Sequence, residues 1–199
     1  MTHSATSPHA EHALQLFDAA RSRADATARF LADGWDAGDH SVVIARKAHW
    51  DLIADHLEKR GYPARSAPPA TLRFLDAQSA LRRMRRRGIF VRDAGYQISA
   101  ELVEEATAFG RPLRIYGEVV DILAEEGSFN EACDLEAAWN AALAGRQGRV
   151  LCGYAAAHFA DPQQAGWLTS ICQHHSHVAT QPADTLGTWL TSSLGTSRT

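Results

Sequence analysis

Cysteine is scarce: Cys133, Cys152 and Cys172 are scattered and odd in number. That argues against a disulfide framework and for a reducing compartment. No apolar run reaches the ~18 residues a membrane helix needs, and the first residues carry no signal-peptide pattern. A cytoplasmic protein that does not enter a membrane is expected. Neither sign of charge dominates: Lys plus Arg number 20 against 23 Asp plus Glu, a net charge of −3. This balance argues against a nucleic-acid partner. Hydrolytic signatures are missing too. There is no G-x-S-x-G elbow, and His40, His49, His56 and His158 have no nucleophile at a recognised spacing. His49 and His56 read as the solvent face of one helix. No catalytic residue is assigned and no cofactor is expected.

What is present fits one α/β domain. With 199 residues and 45% hydrophobic content, a single full core is expected. Residues 1–11 are polar and read as an arm, 12–180 as the domain, and 181–199 as a tail with little to bury. His12 to Phe17 reads as a first strand. Ala24, Ala28 and Leu31 then mark a helix ending at a Gly34 C-cap. Ser41-Val-Val-Ile-Ala45 is short, β-branched and apolar on both faces, as in a strand covered on both sides. Trp50, Ile53, Ala54 and Leu57 give a helix ended by Gly61.

Further along, Leu72–Asp76 reads as a strand, 77–87 as a helix, and 89–95 as a strand leading into a loop. Leu102, Val103, Ala106 and Phe109 mark another helix. Leu113–Glu118 is a strand running into a turn, and 119–126 a helix. Ser128-Phe-Asn-Glu131 has the form of a capping box opening a helix with Ala132, Leu135, Trp139 and Leu143 buried. Arg149–Tyr154 is a strand, Asp161-Pro162 a helix start, and His177–Ala179 a last short strand. Strands alternating with helices predict a mostly parallel sheet with helices on both faces, three layers in all.

A helix carrying Phe30-Leu31 and Gly34, then Gly38-Asp39, an apolar strand and a long helix closing on Gly61-Tyr62 resembles the RecA/KaiC-type ATPase core. There a phosphate loop precedes the first helix. The corresponding stretch here, Phe17 to Thr27, has neither glycine nor lysine. Such a loop needs glycines to wrap phosphates with backbone N–H groups and a lysine to reach their oxygens. ATP hydrolysis is therefore not expected. With His12 opening the first strand, Leu113-Arg-Ile-Tyr-Gly-Glu118, Leu151-Cys-Gly-Tyr154 and His175 added, the chain resembles the methanogen/methylotroph DcmR-type sensory (MEDS) domains. Gly38-Asp39 stands where the family has Gly-Glu, and His175-Ser176 where it has His-Pro. The resemblance implies a RecA-like fold without the Walker loop and a sensor of a small, hydrocarbon-derived molecule in bacterial signalling. It also implies a signalling partner, such as a histidine kinase or a transcription regulator, or an output through a homo-oligomer.

The candidate ligand-binding residues are His12, Arg114, Glu118, Cys152, Tyr154 and His175. Arg114 and Glu118 are placed at the C-terminal end of a strand, where doubly wound sheets bind ligands. They would orient a polar head group or form a structural ion pair. Cys152 and Tyr154 alternate on one strand and so face one side, as a pocket wall or as plain core. An alternative is a metal or redox sensor using Cys152, Cys172, His174, His175 and His177, with His12 a distant further ligand. That spacing matches no zinc pattern. Arg82, Arg83 and Arg86 belong to a basic block that reads as a solvated face or a docking surface for an acidic partner.

Overall fold

The computed structural model describes residues 10–179. Most of the arm and all of the tail beyond residue 180 lie outside them, although Glu11, assigned to the arm, already belongs to the first strand. In chain order the elements are β1 (Glu11–Phe17), α1 (Ala20–Ala37), β2 (His40–Ala45), α2 (Lys47–Lys59), β3 (Leu72–Asp76) and α3 (Ala77–Met84). Then come β4 (Arg85–Arg86), β5 (Ile89–Phe90), α4 (Arg92–Thr107), β6 (Leu113–Gly117), α5 (Val119–Glu125) and α6 (Phe129–Leu143). The last are β7 (Gly148–Ala155), α7 (Pro162–Cys172) and β8 (His177–Ala179).

Six strands form one sheet in the order β3-β2-β6-β7-β1-β8, every neighbouring pair parallel. From β1 the chain moves to β2 and β3 at one edge, then returns through β6 and β7 to β8 at the other. Right-handed crossovers put the outgoing helices on one face and the returning helices on the opposite one. The two cores agree. On one face α1 and α2 bury Leu31, Trp50, Ile53 and Leu57 against Phe17, Val43, Tyr116 and Leu151. On the other, α3 to α7 bury Leu81, Val103, Leu123, Leu135, Trp139 and Ile171 against Leu14, Leu16, Ile44, Ile115 and Tyr154. This is the three-layer α/β arrangement expected from the sequence.

Several local readings change. The helix predicted to stop at Gly34 continues to Ala37, and Gly38 ends it at φ 77°. Asp39 N–H donates to the Gly34 carbonyl at 2.8 Å and Gly38 N–H to that of Trp35 at 3.1 Å, the paired closure of a Schellman end. Gly34 is instead a contact point. A Cβ there would overlap Cδ and Nε of Arg114, whose guanidinium is held by Asp39 (2.8 Å) and the Phe30 carbonyl (2.9 Å). Gly34→Ala is therefore expected to cost about 1–3 kcal/mol, the usual range for overpacking. Urea unfolding measures it; an unchanged midpoint would show that Arg114 yields freely.

The helix predicted over 77–87 stops at Met84, because Arg85–Arg86 and Ile89–Phe90 pair as a small antiparallel hairpin. Its two-residue turn, Arg87-Gly88, has φ of 51° and 83°, the positive pair that such tight hairpins require. Gly95, read as loop, lies inside α4, where a Cβ would come within 2.9 Å of the Phe90 ring. Ser128 does open α6, but its side chain makes no cap hydrogen bond. Asp161 does cap α7, accepting from Gln163 N–H.

Candidate functional site

Besides the Arg114–Asp39 pair, two groups of buried polar side chains stand out among the described residues, one at the carboxyl edge of the sheet and one between the sheet and α6. The first is built where β1, β2, β6 and β7 end. The helices after β1 and β2 leave to one face, and those after β6 and β7 to the other. In a parallel sheet, neighbouring strands whose connections diverge in this way leave a crevice outside their carboxyl ends. A cleft of about 330 Å³ lies here, lined in part by Phe17, Arg23, Arg46, His49, Asp121 and His158.

Its floor is an ionic network. Arg23, on the buried side of α1, reaches Glu118 (3.5 Å) and Asp121 (3.4 Å). Tyr116 OH donates to Glu118 at 2.8 Å, and His49 Nδ1 lies 2.8 Å from the other Glu118 oxygen. The Arg46 backbone N–H also donates to Glu118, at 3.0 Å. The Arg46 guanidinium spans α5, pairing with Asp121 and, at 2.5 Å, with the exposed Glu125. Asp121 further accepts from Ala155 N–H at 2.6 Å and faces His158 Nε2 at 3.0 Å.

Burial by itself would raise the Asp121 pKa. The His158 hydrogen bond and the Arg23 and Arg46 guanidinia outweigh it and hold the carboxyl below its usual range. Burial would lower the Arg23 pKa, but Tyr116, Asp121 and Glu118 raise it. Desolvation, reinforced by Glu118, pushes the Tyr116 phenol well up. The cleft therefore offers fixed charges and no easily titrated phenol near neutral pH.

The second group lies on the α6 face. His12 from β1, Cys152 and Tyr154 from β7, and His175 from the segment after α7 converge on Glu136 of α6, which is fully buried. Glu136 Oε2 is 3.1 Å from His12 Nε2 and 3.4 Å from His175 Nε2. It also accepts from Cys152 Sγ at 3.1 Å, while Oε1 accepts from Tyr154 OH at 2.6 Å. Burial would raise the Glu136 pKa, yet His175 and His12 hold it well below the usual carboxylate range. Burial and then Glu136 push the Cys152 thiol well up.

Four of the six candidate ligand residues (His12, Cys152, Tyr154 and His175) thus meet in one place. The other two do not join them or each other. Glu118 sits at the carboxyl end of β6 in the cleft. Arg114 is near the amino end of the same strand, bound to Asp39, and so is not at the C-terminal end where the sequence reading placed it. Of the alternative metal set, Cys152 and His175 are together. Cys172 and His174 stand outside the four-residue donor group, and His177 lines a separate groove beside Glu11 and Arg29. His49 is not on a solvent face but against Glu118. In the basic block, Arg82 bonds Ser79 and Arg83 bonds Glu101, while Arg86 is exposed on β4.

Sequence reading missed Arg23, Arg46, Asp121, His158 and Glu136. Glu136 was legible: 132, 135, 136, 139 and 143 form one helical stripe, and this carboxylate lies inside it. Arg23 precedes the Ala24, Thr27, Ala28 and Leu31 stripe in the same manner. Nothing local marks Arg46, Asp121 and His158, which meet only through the sheet order.

Among the described residues no helix is long and apolar enough to cross a membrane. Comparison with curated proteins yields no match. Comparison with protein families matches residues 11–175 to the methanogen/methylotroph, DcmR sensory domain. Since the match runs from the start of β1 through His175, the chain belongs to the MEDS family of sensory domains.

Proposed function

We propose that this domain is a non-catalytic small-molecule sensor in bacterial signal transduction, and that its ligand enters the cleft at the carboxyl edge of the sheet. The observation that carries this reading is the cleft itself, set at the divergence of the crossovers over a floor of buried, paired charges. The connection from β1 to α1 is only Asp18-Ala19. It has no room for a phosphate-wrapping loop and no glycine or lysine to build one, which supports a sensing role over ATP turnover.

The walls of the cleft support an anionic ligand. Arg46 shares its charge between the buried Asp121 and the exposed Glu125, whose side chain is 61% accessible. A small organic anion, with a carboxylate on a short carbon skeleton, can take the place of Glu125 on Arg46 while Asp121 stays. Arg–carboxylate pairing is bidentate and directional. Asp121 and Glu125 both sit on α5, which packs on α6 and α3. Exchanging Glu125 for a ligand would therefore bias the position of α5, a population shift that a partner protein or a second copy can read.

Thermal unfolding against a panel of short carboxylic acids tests this. A ligand at a hundredfold excess over Kd adds about 2.7 kcal/mol, roughly 5–10 °C for a chain of this size. The shift is expected for the native protein and should be lost in Arg46→Gln. Shifts of equal size in both would place binding elsewhere.

A further inference from the structure

We propose that His12, Glu136, Cys152 and His175 form a closed zinc site, separate from the ligand cleft. Their four donor atoms lie within 4.8 Å of one another. His12 Nε2 is 3.1 Å from Glu136 Oε2 and 3.3 Å from Cys152 Sγ; His175 Nε2 is 3.4 Å and Cys152 Sγ 3.1 Å from Glu136 Oε2. A tetrahedral zinc with bonds of about 2.0–2.3 Å separates its ligand atoms by about 3.3–3.8 Å. Four of the six donor separations are therefore already close to the edge lengths of that tetrahedron, and the other two are at most 4.8 Å.

Proton placement points the same way. Asn140 donates through Nδ2 to the His174 carbonyl, so its Oδ1 faces His12 Nδ1 at 2.9 Å. His175 Nδ1 faces the Ile171 carbonyl at 2.8 Å. Both rings thus spend their Nδ1 proton on an outer oxygen and aim Nε2 inward. Each inward Nε2 then either carries a proton shared with Glu136 or, in the neutral ring, presents a lone pair to the centre of the cluster. His175 Nε2 is buried and makes no well-formed hydrogen bond, its nearest polar partner being Glu136 Oε2 at 3.4 Å. A metal cation among the rings, Cys152 and Glu136 takes the place of those protons and turns the contacts into coordination. The outer oxygens then serve as the partners that fix ring orientation around a metal, and Tyr154 does the same for Glu136 by occupying Oε1.

The donor set also selects the metal. Two imidazoles, a thiolate and a carboxylate suit zinc better than the oxygen-preferring calcium or magnesium. A thiolate and a carboxylate balance the two charges of Zn²⁺, which permits full burial. Binding is Cys152–SH + Zn²⁺ → Cys152–S⁻–Zn²⁺ + H⁺: one S–H bond breaks, one Zn–S bond forms, and one proton goes to solvent without any change in oxidation state. With four protein ligands the site is of the structural kind, tying β1, β7, α6 and the end of α7 together.

The test is metal analysis of the full chain, first after purification and then after stripping with a chelator and reloading with zinc alone. One zinc per chain is expected, with a Tm that rises with zinc concentration. Cobalt loaded in place of zinc should show sulfur-to-metal charge transfer. This identifies the thiolate in the native protein without relying on a variant that folds. His175→Ala and Cys152→Ser should each lower zinc content at least tenfold, whereas Cys172→Ser and His177→Ala should leave it intact. No stoichiometric binding after reloading, a cobalt spectrum without sulfur, or binding retained in Cys152→Ser would overturn the proposal. None of these results bears on the ligand cleft.

Discussion

Replacing Glu136 by leucine is expected to remove about 3–5 kcal/mol of folding free energy, the usual cost of deleting one member of a buried charged pair. The side chain is the meeting point of Tyr154 OH, Cys152 Sγ, His12 and His175, all inside the protein. Leucine fills a similar volume, so the loss comes from stranded polar groups and not from a cavity. Each buried donor left unpaired costs about 1–3 kcal/mol, and a raised His12 pKa, which Glu136 sustains against burial, would fall. Glu136→Gln keeps an acceptor for Tyr154 and should cost less. Urea unfolding with a chelator present reads the protein's own contacts apart from any metal. Against a total of about 5–15 kcal/mol, the leucine variant should be marginal at 37 °C. A loss below about 0.5 kcal/mol would mean that the cluster relaxes or admits water.

The second large effect is expected for Arg23→Met. Arg23 is 4% exposed and is shared by Glu118 and Asp121. Its loss leaves two buried carboxylates leaning on Arg46 and the histidines, again at about 3–5 kcal/mol. This change has a pH signature. The depressed Asp121 pKa means that ionised Asp121 stabilises the fold at all pH values above its unfolded value of about 3.9. That contribution fades as pH falls from there toward the lower folded value. Without Arg23 the folded value rises toward the unfolded one. The variant should then be less stable at pH 7, and its stability should decline less steeply below about pH 4. Unfolding curves for both proteins across the acid range measure this. Parallel profiles would show that Arg46 and His158 alone hold Asp121 ionised.

Strand and helix order could be read from the sequence because the sheet is parallel and covered on both faces. Such strands appear as short apolar runs, Val42–Ala45 and Val150–Cys152 among them, separated by amphipathic helices. Helix ends were less legible. Gly34 looks like a helix stop and Gly95 like part of a loop, yet both are close-approach positions inside helices, one against Arg114 and one against Phe90. A glycine needed for packing and a glycine needed for positive φ look alike in a sequence. The hairpin at 85–90 was hidden because Arg85, Arg86 and Arg87 continue the polar face of a helix until Gly88.

Half of the candidate site was legible and half was not. His12, Cys152, Tyr154 and His175 were found singly, by strand position or by resemblance. Their common partner Glu136 was passed over although it lies in a buried stripe. The cleft residues Arg46, Asp121 and His158 follow three different strands, β2, β6 and β7. Only the order β2-β6-β7-β1 brings those strand ends together. A pairing order of this kind is set by crossover handedness and the whole core, so no local pattern reports it.

Two concavities compete for the ligand. The larger, about 370 Å³, lies against β1 and α1 beside Gln15, Phe30, Leu151 and His177. It is walled by the amino-terminal halves of β1 and β7 and not by their carboxyl ends, and the Glu11–Arg149 ion pair among its lining residues is exposed. Amide hydrogen exchange with and without the carboxylic acid giving the largest thermal shift separates the two. Slower exchange is expected at 18–23, 46–49, 118–125 and 155–158, the segments that line the cleft. Protection confined to 11–15, 26–33 and 177–179 would contradict ligand sensing at the carboxyl edge of the sheet.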